Sequence, residues 1–461
     1  MAKKERLSQD ELMKQALVKE DKLYEVPSNW IWAKLFAFCI KLQYGYTETS
    51  SSEKIGPHYL RITDIQENKV NWSEVPFCKI SQDDYCKFRL FKDDIVVART
   101  GATTGKSLLL NEDVDAVFAS YLIRISLNKR LLPRYLSYFM NSDYYWIQII
   151  EEKKGIAQPG VNANKLGQIN IPIPPLPEQQ RIVDTIESLF EKLDRAEELV
   201  QNVLDSFEAR KSAILHKAFN GELTAKWREE NGVDFEREWE ENLLGEICEI
   251  NPKRISTKEL DDDIEVSFVP MSSVSDIKGV IEQPLVKKLA EVKKGFTNFS
   301  VGDVIFAKIT PCMENGKSAV VENLMNGIGF GSTEFHVLRC SERLYNRYLY
   351  HLVRWKKFRD EARQVMTGAV GQQRVPKEFL EQYTINTPPV KEQIEIVRIL
   401  DNLLEKEQKA RELCDIIIKN IEQLKKSILA RAFRGELNTN NPGEESALEL
   451  LKEVIQERME S

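Results

Sequence analysis

Pro174-Pro175-Leu176-Pro177-Glu178-Gln179-Gln180-Arg181-Ile182-Val183 opens one long helical pattern, and Pro388-Pro389-Val390-Lys391-Glu392-Gln393-Ile394-Glu395-Ile396-Val397 opens another. The two are 214 residues apart (Glu178 against Glu392). The offset holds without a gap to Phe219-Asn220-Gly221-Glu222-Leu223 against Phe433-Arg434-Gly435-Glu436-Leu437. Over those 50 residues 21 are identical, far above chance, so the chain carries an internal repeat.

Working outward, Pro172, Pro174, Pro175 and Pro177 stiffen the first lead-in. Beyond them apolar residues step by four and three: Ile182, Ile186, Leu189, Leu193, Ala196, Val200, Val203, Phe207 and Ile214, with Arg210 breaking the seam. The second copy reads Ile396, Leu400, Leu403, Ala410, Cys414, Ile417, Ile421, Leu424 and Ile428, with Glu407 interrupting. This is the heptad spacing of coiled-coil helices. Gly221 stands where a helix-ending glycine belongs.

The segments before the helices form a second, fainter repeat. Trp30 and Trp239 are 209 residues apart, and Leu35, Cys39 and Asp94 to Arg99 match Leu244, Cys248 and Asp303 to Lys308 at that offset. Gly105-Lys106-Ser107 matches Gly316-Lys317-Ser318 after a small insertion, and Phe118-Ala119-Ser120 matches Phe330-Gly331-Ser332. Between these landmarks the segments differ. The reading is an α+β chain: an N-terminal helix (1–26, with Ser8 and Glu11 at capping-box spacing), a mixed α/β domain (27–173), a spacer helix (174–223), a charged linker (224–238), a second mixed domain (239–387), a second spacer helix (388–437) and a tail with a short helix (438–461). Leu132 to Ile150 reads as a single helix.

A duplicated chain of this kind is expected to fold with pseudo-twofold symmetry, its two long helices antiparallel and burying each other's seams. Ile182 to Ile214 would span about 50 Å as a helix, roughly one and a half turns of B-DNA. Two readers held at that separation suit two half-sites with an unread spacer, and because their loops differ the half-sites would differ.

Composition sets limits on function. The chain has 461 residues, a length that suggests about three domains. It is 30% charged and 42% hydrophobic, with net charge −7. That balance argues against a uniformly DNA-coating surface and leaves room for local basic faces. No apolar run is long enough to span a bilayer, and no apolar segment follows Met1-Ala2-Lys3-Lys4-Glu5-Arg6, so a cytoplasmic location is expected. Seven cysteines form no CxxC pair and read as reduced thiols; four scattered histidines give no metal-ligand spacing.

Gly101-Ala102-Thr103-Thr104-Gly105-Lys106-Ser107 resembles a phosphate loop but is one residue short between its glycines, and the second copy lacks the first glycine. A polar loop at a strand end fits better. It presents Arg99, Thr100, Thr103, Thr104 and Lys106 to DNA, with Lys308, Thr310, Asn315 and Lys317 in like places. Arginine and asparagine suit base edges, and lysine suits phosphate. Glu291-Val292-Lys293 lies on a lysine-rich face and does not read as a nuclease motif. Asn386-Thr387-Pro388-Pro389-Val390 lacks the spacing and aromatic residue of an aminomethyltransferase. No catalytic, cofactor or metal residue is assigned.

With its doubled "PPLPEQQRIV" and "PPVKEQIEIV" entries, its "ILHKAFNGELT" and "SILARAFRGELN" exits and the "AKWREEN" after the first exit, the chain resembles the specificity (S) subunits of type I restriction–modification enzymes over nearly its whole length. The resemblance implies two target recognition domains held apart by the antiparallel helices, each reading half of a split DNA target. It also implies a non-catalytic chain that docks two modification subunits, which methylate adenine using S-adenosylmethionine, and restriction subunits that use ATP and Mg²⁺. It makes Tyr44, Tyr46 and Thr47, with Lys253 and Arg254, a second candidate pair of DNA-facing loops. Gln158 and Asn162, with Gln372, Gln373 and Arg374, form a third pair suited to adenine. The repeated Phe219 and Phe433 are expected on a partner-docking surface. The rival readings are a coiled-coil scaffold that reads no bases and a stand-alone nuclease or methyltransferase.

Overall fold

The structure, a computed structural model, describes residues 8–20, 22–66, 68–153, 160–256, 259–369 and 371–460. The chain divides into two compact units, Met1–Leu199 with Ile416–Ser461, and Val200–Asp415. Both long helices are continuous, Leu176–Phe219 and Val390–Phe433, 44 residues each. The division between units cuts through both, so each unit holds one mixed domain and part of each helix.

Each unit is built on the same strand framework. In the first, a four-stranded antiparallel sheet runs Cys39–Tyr44, Leu122–Leu127, Ile95–Ala98, Ser107–Leu109. In the second, the order is Cys248–Ile250, Phe335–Cys340, Val304–Ala307, Ser318–Val320. Ile95-Val96-Val97-Ala98 and Val304-Ile305-Phe306-Ala307 are buried at every position, as central strands packed on both faces must be. A second, mixed sheet in each unit contains a parallel pair, Leu60 beside Phe118 at one edge in the first and Phe268 beside Phe330 at the centre in the second. A two-stranded ribbon closes each domain: Ile31–Lys34 with Asn170–Ile173, and Glu240–Leu243 with Thr384–Thr387.

The ribbons lead directly into the repeated Glu-Gln, and the structure explains that dipeptide. Glu178 is fully buried. Its carboxylate accepts from Trp30 Nε1 (2.8 Å), Asn440 Nδ2 (3.0 Å) and Thr439 Oγ1 (3.3 Å). Glu392 is equally buried and accepts from Trp239 Nε1 (2.9 Å), Thr224 Oγ1 (2.6 Å) and Arg228 (2.6 Å). Gln179 accepts from the Leu132 N–H and donates to the Arg130 and Pro174 carbonyls; Gln393 does the same with Tyr345, Arg343 and Pro388. Each glutamate thus ties the tryptophan that opens its domain to residues just beyond the other helix's end. Each glutamine holds the turn before the domain's first C-terminal helix, Pro133–Met140 or Asn346–Arg354.

These ties run the helices antiparallel within each unit. In the first, Lys425 meets Asp194 (2.7 Å) and Glu197 (2.8 Å). In the second, Arg210 meets Glu407 (3.0 Å), so the two breaks in the apolar seams neutralise each other.

Several expectations need correction. Seam burial is uneven: Ile182, Ile186, Phe207, Ile396, Leu400, Cys414 and Ile421 are buried, whereas Val203, Ile417 and Leu424 are exposed. Two helices alone cover only one strip of each other, so an apolar residue slightly off that strip meets water. Phe433 is fully buried against Tyr135 and Phe139, and Phe219 is buried against Tyr348 and Trp355. Both belong to the domain cores rather than to a docking surface. The stretch 224–238 carries the helices Ala225–Asn231 and Phe235–Glu238, because Arg228 turns inward to Glu392. Leu132 to Ile150 is broken at Asn141 and Ser142 into two helices. At the N-terminus the described helix is Gln9–Ala16, capped by Ser8 and Glu11. All seven cysteines are free thiols.

Burial, the largest influence, raises the Glu178 carboxyl above its ordinary value, against the pull of the Trp30 and Asn440 donors. A raised carboxyl means that the folded protein holds a proton the unfolded chain would release. The stability this gives is present below the unfolded value and lost as pH rises through the folded one. Between about pH 4.5 and pH 7, the Tm of Glu178→Gln measured by calorimetry should therefore gain on that of the wild type; a constant difference would contradict this account.

Candidate nucleic-acid interface

In the first unit, three polar loops meet beside the end of the central strand Ile95–Ala98. The Arg99 guanidinium lies over the Tyr44 ring, 4.6 Å from its centre, and donates to the Ser120 carbonyl. The Tyr44 hydroxyl accepts from the Ala163 N–H (2.9 Å), and the Val161 N–H donates to the Arg99 carbonyl (2.9 Å). Thr100 bridges Gly160. Gly45 allows the chain to pass this close: a Cβ there would fall 2.3 Å from the Phe118 and Ala119 carbonyl oxygens. The three stretches that sequence reading separated (44–47, 99–106, 160–163) are therefore one surface.

The second unit repeats the convergence with other side chains. The Lys308 N–H donates to the Glu334 carbonyl, and the Val375 N–H to the Lys308 carbonyl. The Thr310 N–H donates to the Gln373 carbonyl, and its hydroxyl accepts the Gln373 N–H. His336 links the remaining loop: Nε2 lies 2.9 Å from the Val375 carbonyl and Nδ1 lies 3.0 Å from Asn251 Nδ2. Since a carbonyl only accepts, Nε2 carries the proton and Nδ1 accepts from Asn251. Burial holds this imidazole below its ordinary value, consistent with a neutral ring. Arg374 pairs with both oxygens of Glu334 (2.9 and 2.7 Å), and this pairing holds the Glu334 carboxyl below its usual value.

The sequence-derived candidates divide by availability. Tyr44, Thr47, Thr103, Lys253, Asn315 and Gln372 are exposed at these loops. Arg99, Thr100, Lys308, Thr310, Gln373 and Arg374 are half-buried there. Six candidates serve the fold instead. Thr104 is buried, its hydroxyl donating to the Gly101 carbonyl within its own turn. Asn162 caps the helix Ala163–Gly167. The Tyr46 ring packs on Phe88. Arg254 donates to the Lys293 and Phe296 carbonyls. Lys106 donates to the Ile65 carbonyl (3.3 Å), as Lys317 does to that of Met271 (3.1 Å), so the matched lysines brace matched short helical turns. Gln158 lies outside the described residues.

Two residues at the interface went unnamed from sequence. Tyr121 is 62% exposed, and its carbonyl accepts the Arg99 N–H. Glu334 holds the same relation to Lys308. The aligned Phe118-Ala119-Ser120 and Phe330-Gly331-Ser332 landmarks stop just short of both. Among the described residues, no group of three or more His, Cys, Asp or Glu side chains could hold a metal ion, and no helix is long and apolar enough to cross a membrane.

The model of the type I restriction modification DNA specificity domain matches this chain twice, at residues 44–204 and 236–413. The chain belongs to that family. The specificity subunit of the type I restriction enzyme EcoEI from Escherichia coli is 35% identical over 264 residues; that alignment covers 48% of this chain and 44%, less than half, of the relative. The EcoKI specificity subunit from Escherichia coli (strain K12) is 24% identical over 95% of this chain and 97% of its own. The crystal structure of the HsdS subunit from Thermoanaerobacter tengcongensis shares the fold, with a TM-score of 0.60 at 21% identity, covering 91% of this chain and 100% of that one. The two matched specificity domains contain the two loop clusters, one in each compact unit.

The braced lysines and the exposed loop residues should respond differently to mutation. Lys106→Met and Lys317→Met should each cost about 1 kcal/mol in urea denaturation. Thr103→Ala and Asn315→Ala should stay within about 0.5 kcal/mol. Equal costs would place all four in the same structural role.

Proposed function

We propose that the chain is the DNA sequence-specificity subunit of a type I restriction–modification complex, itself non-catalytic, working in the cytoplasm. Each loop cluster reads one half of a split, asymmetric target in double-stranded DNA. Two modification subunits dock on the chain and methylate adenine; S-adenosylmethionine, ATP and Mg²⁺ are bound by the modification and restriction subunits. The observation that carries this reading is the convergence of three polar loops at matching strand ends in two domains of one family fold. The framework is the same, and the residues offered are not: Arg99, Tyr44 and Tyr121 in one, Lys308, Gln372 and the Arg374–Glu334 pair in the other. Arginine and glutamine make paired hydrogen bonds to guanine and adenine edges, so unlike clusters select unlike half-sites.

The test is the methylated motif laid down by the reconstituted complex, read by sequencing methyladenine. Arg99→Ala should relax one half-site and leave the other intact, and Arg374→Ala the reverse, each costing about 1–3 kcal/mol of discrimination. A variant that blurs both halves together, or neither, would remove the assignment. The long helices set the unread spacer in this proposal. Inserting one heptad into each helix, after Leu193 and after Leu403, should lengthen the spacer and keep both half-sites.

A further inference from the structure

The repeat provides an internal comparison that isolates one cavity. Lys211 and Lys425 are equivalent positions, 214 residues apart. Lys425 is neutralised by Asp194 and Glu197. In the other copy those two acids are replaced by Gln408 and Arg411, and Lys211 has no ion pair or hydrogen bond among the described residues. Two more substitutions go the same way. Tyr348 and Tyr135 occupy equivalent places, each hydroxyl bound to a carbonyl of its ribbon strand (Asn386 or Pro172). Counting on from them, Arg354 and Arg359 stand where the first unit has Asn141 and Trp146. Among the described residues Arg354 donates only to the carbonyls of Gly316, Asp276 and Ile277, and Arg359 only to those of Arg354 and Glu314.

Lys211, Arg354 and Arg411 line one cavity of about 820 Å³ within the second unit. Acids also line it, but most are already matched: Glu322 and Asp401 by Arg347, Glu407 by Arg210, and Glu208 by Arg411 at 4.0 Å. Glu412 bonds to Gln408. Phe207, Leu215, Ile281, Val320 and Leu404 supply an apolar wall. Burial and the neighbouring Arg354 hold the Lys211 ammonium below its usual value, against the pull of Glu208. Lys211 and Arg354 are half-buried and have no ion pair among the described residues, whereas Arg411 is exposed and lies 4.0 Å from Glu208. Keeping half-buried cations unmatched costs stability, and in a chain of net charge −7 carboxylates to match them are plentiful. The first unit shows that this helix pair accommodates them.

We propose that this cavity binds a phosphorylated small molecule. Lys211, Arg354 and Arg411 hold the phosphoryl oxygens, and the Phe207 and Leu404 side of the cavity takes the apolar part. A phosphoryl group fits better than a single carboxylate, because several cations converge and guanidinium pairs with phosphate by paired hydrogen bonds. The volume is that of a site for a nucleotide-sized ligand.

The test is calorimetric titration of the full chain, without divalent metal, using inorganic phosphate, pyrophosphate and a nucleoside monophosphate as separate probes. Saturable binding of at least one is expected, and the ranking of phosphate against nucleotide separates a bare anion site from one that uses the apolar wall. The double variant Gln408→Asp/Arg411→Glu rebuilds the acids that flank Lys425. It should raise the Tm of the ligand-free protein and weaken probe binding by at least about tenfold, whereas Lys226→Gln, at an exposed lysine, should change neither. If the double variant loses its circular-dichroism signature, Lys211→Gln supplies the same comparison. No saturable binding of any probe by the wild type, or undiminished binding by the rebuilt variant, would overturn the proposal.

Discussion

A carboxylate with no access to water is costly unless every lone pair that matters is met by a donor. The chain accepts that cost twice, at Glu178 and Glu392, and both times meets it with a tryptophan indole N–H from the start of a domain and hydroxyl, amide or guanidinium donors from beyond a helix end. Few residues could replace glutamate here. It is long enough to reach from the first helical turn, and it accepts on both oxygens at once. Through it, the ribbon, the helix start and the opposite helix end are fixed together, and the neighbouring glutamine fixes the turn that sets the next helix. The loop clusters inherit their positions from this junction.

The two junctions are not identical. Glu392 has a cation, Arg228, at 2.6 Å. Among the described residues Glu178 accepts hydrogen bonds from neutral donors only, and burial raises its carboxyl. The same contrast recurs at the helices, where Lys425 is matched and Lys211 is not. Duplication supplied one scaffold, and the copies then diverged in how they balance buried charge as well as in their loops.

Much of the fold was legible in the sequence because repetition is independent of conformation. Identity at fixed offset located both helices, both domains and the strand pairs around Ile95–Ala98 and Val304–Ala307 without any knowledge of how they pack. The loops were legible as loops and not as a surface. Nothing in the spacing of Tyr44, Arg99 and Ala163 says that they touch, since their contact is made by the order of strands in a sheet. Residue type misled wherever a polar side chain had a local duty. Thr104, Asn162 and Lys106 have the chemistry of DNA contacts and are used to close a turn, cap a helix and brace a neighbouring segment. Phe219 and Phe433 misled in the opposite direction: an aromatic pair at repeated helix ends looked like a docking surface, yet both rings fill the core of their own unit.

The two units also differ in how the chain supplies them. Val200–Asp415 is one uninterrupted stretch, whereas the other unit joins Met1–Leu199 to Ile416–Ser461. Its core includes Phe433, Leu451 and Ile455 as well as Trp30 and Phe139. During synthesis at about 5–20 residues per second, the domain that is translated first must therefore wait on the ribosome for its closing segment, while the domain translated second already has all its parts. The N-terminal half spends that interval with an incomplete core, and in vivo the order of completion runs opposite to the order of translation.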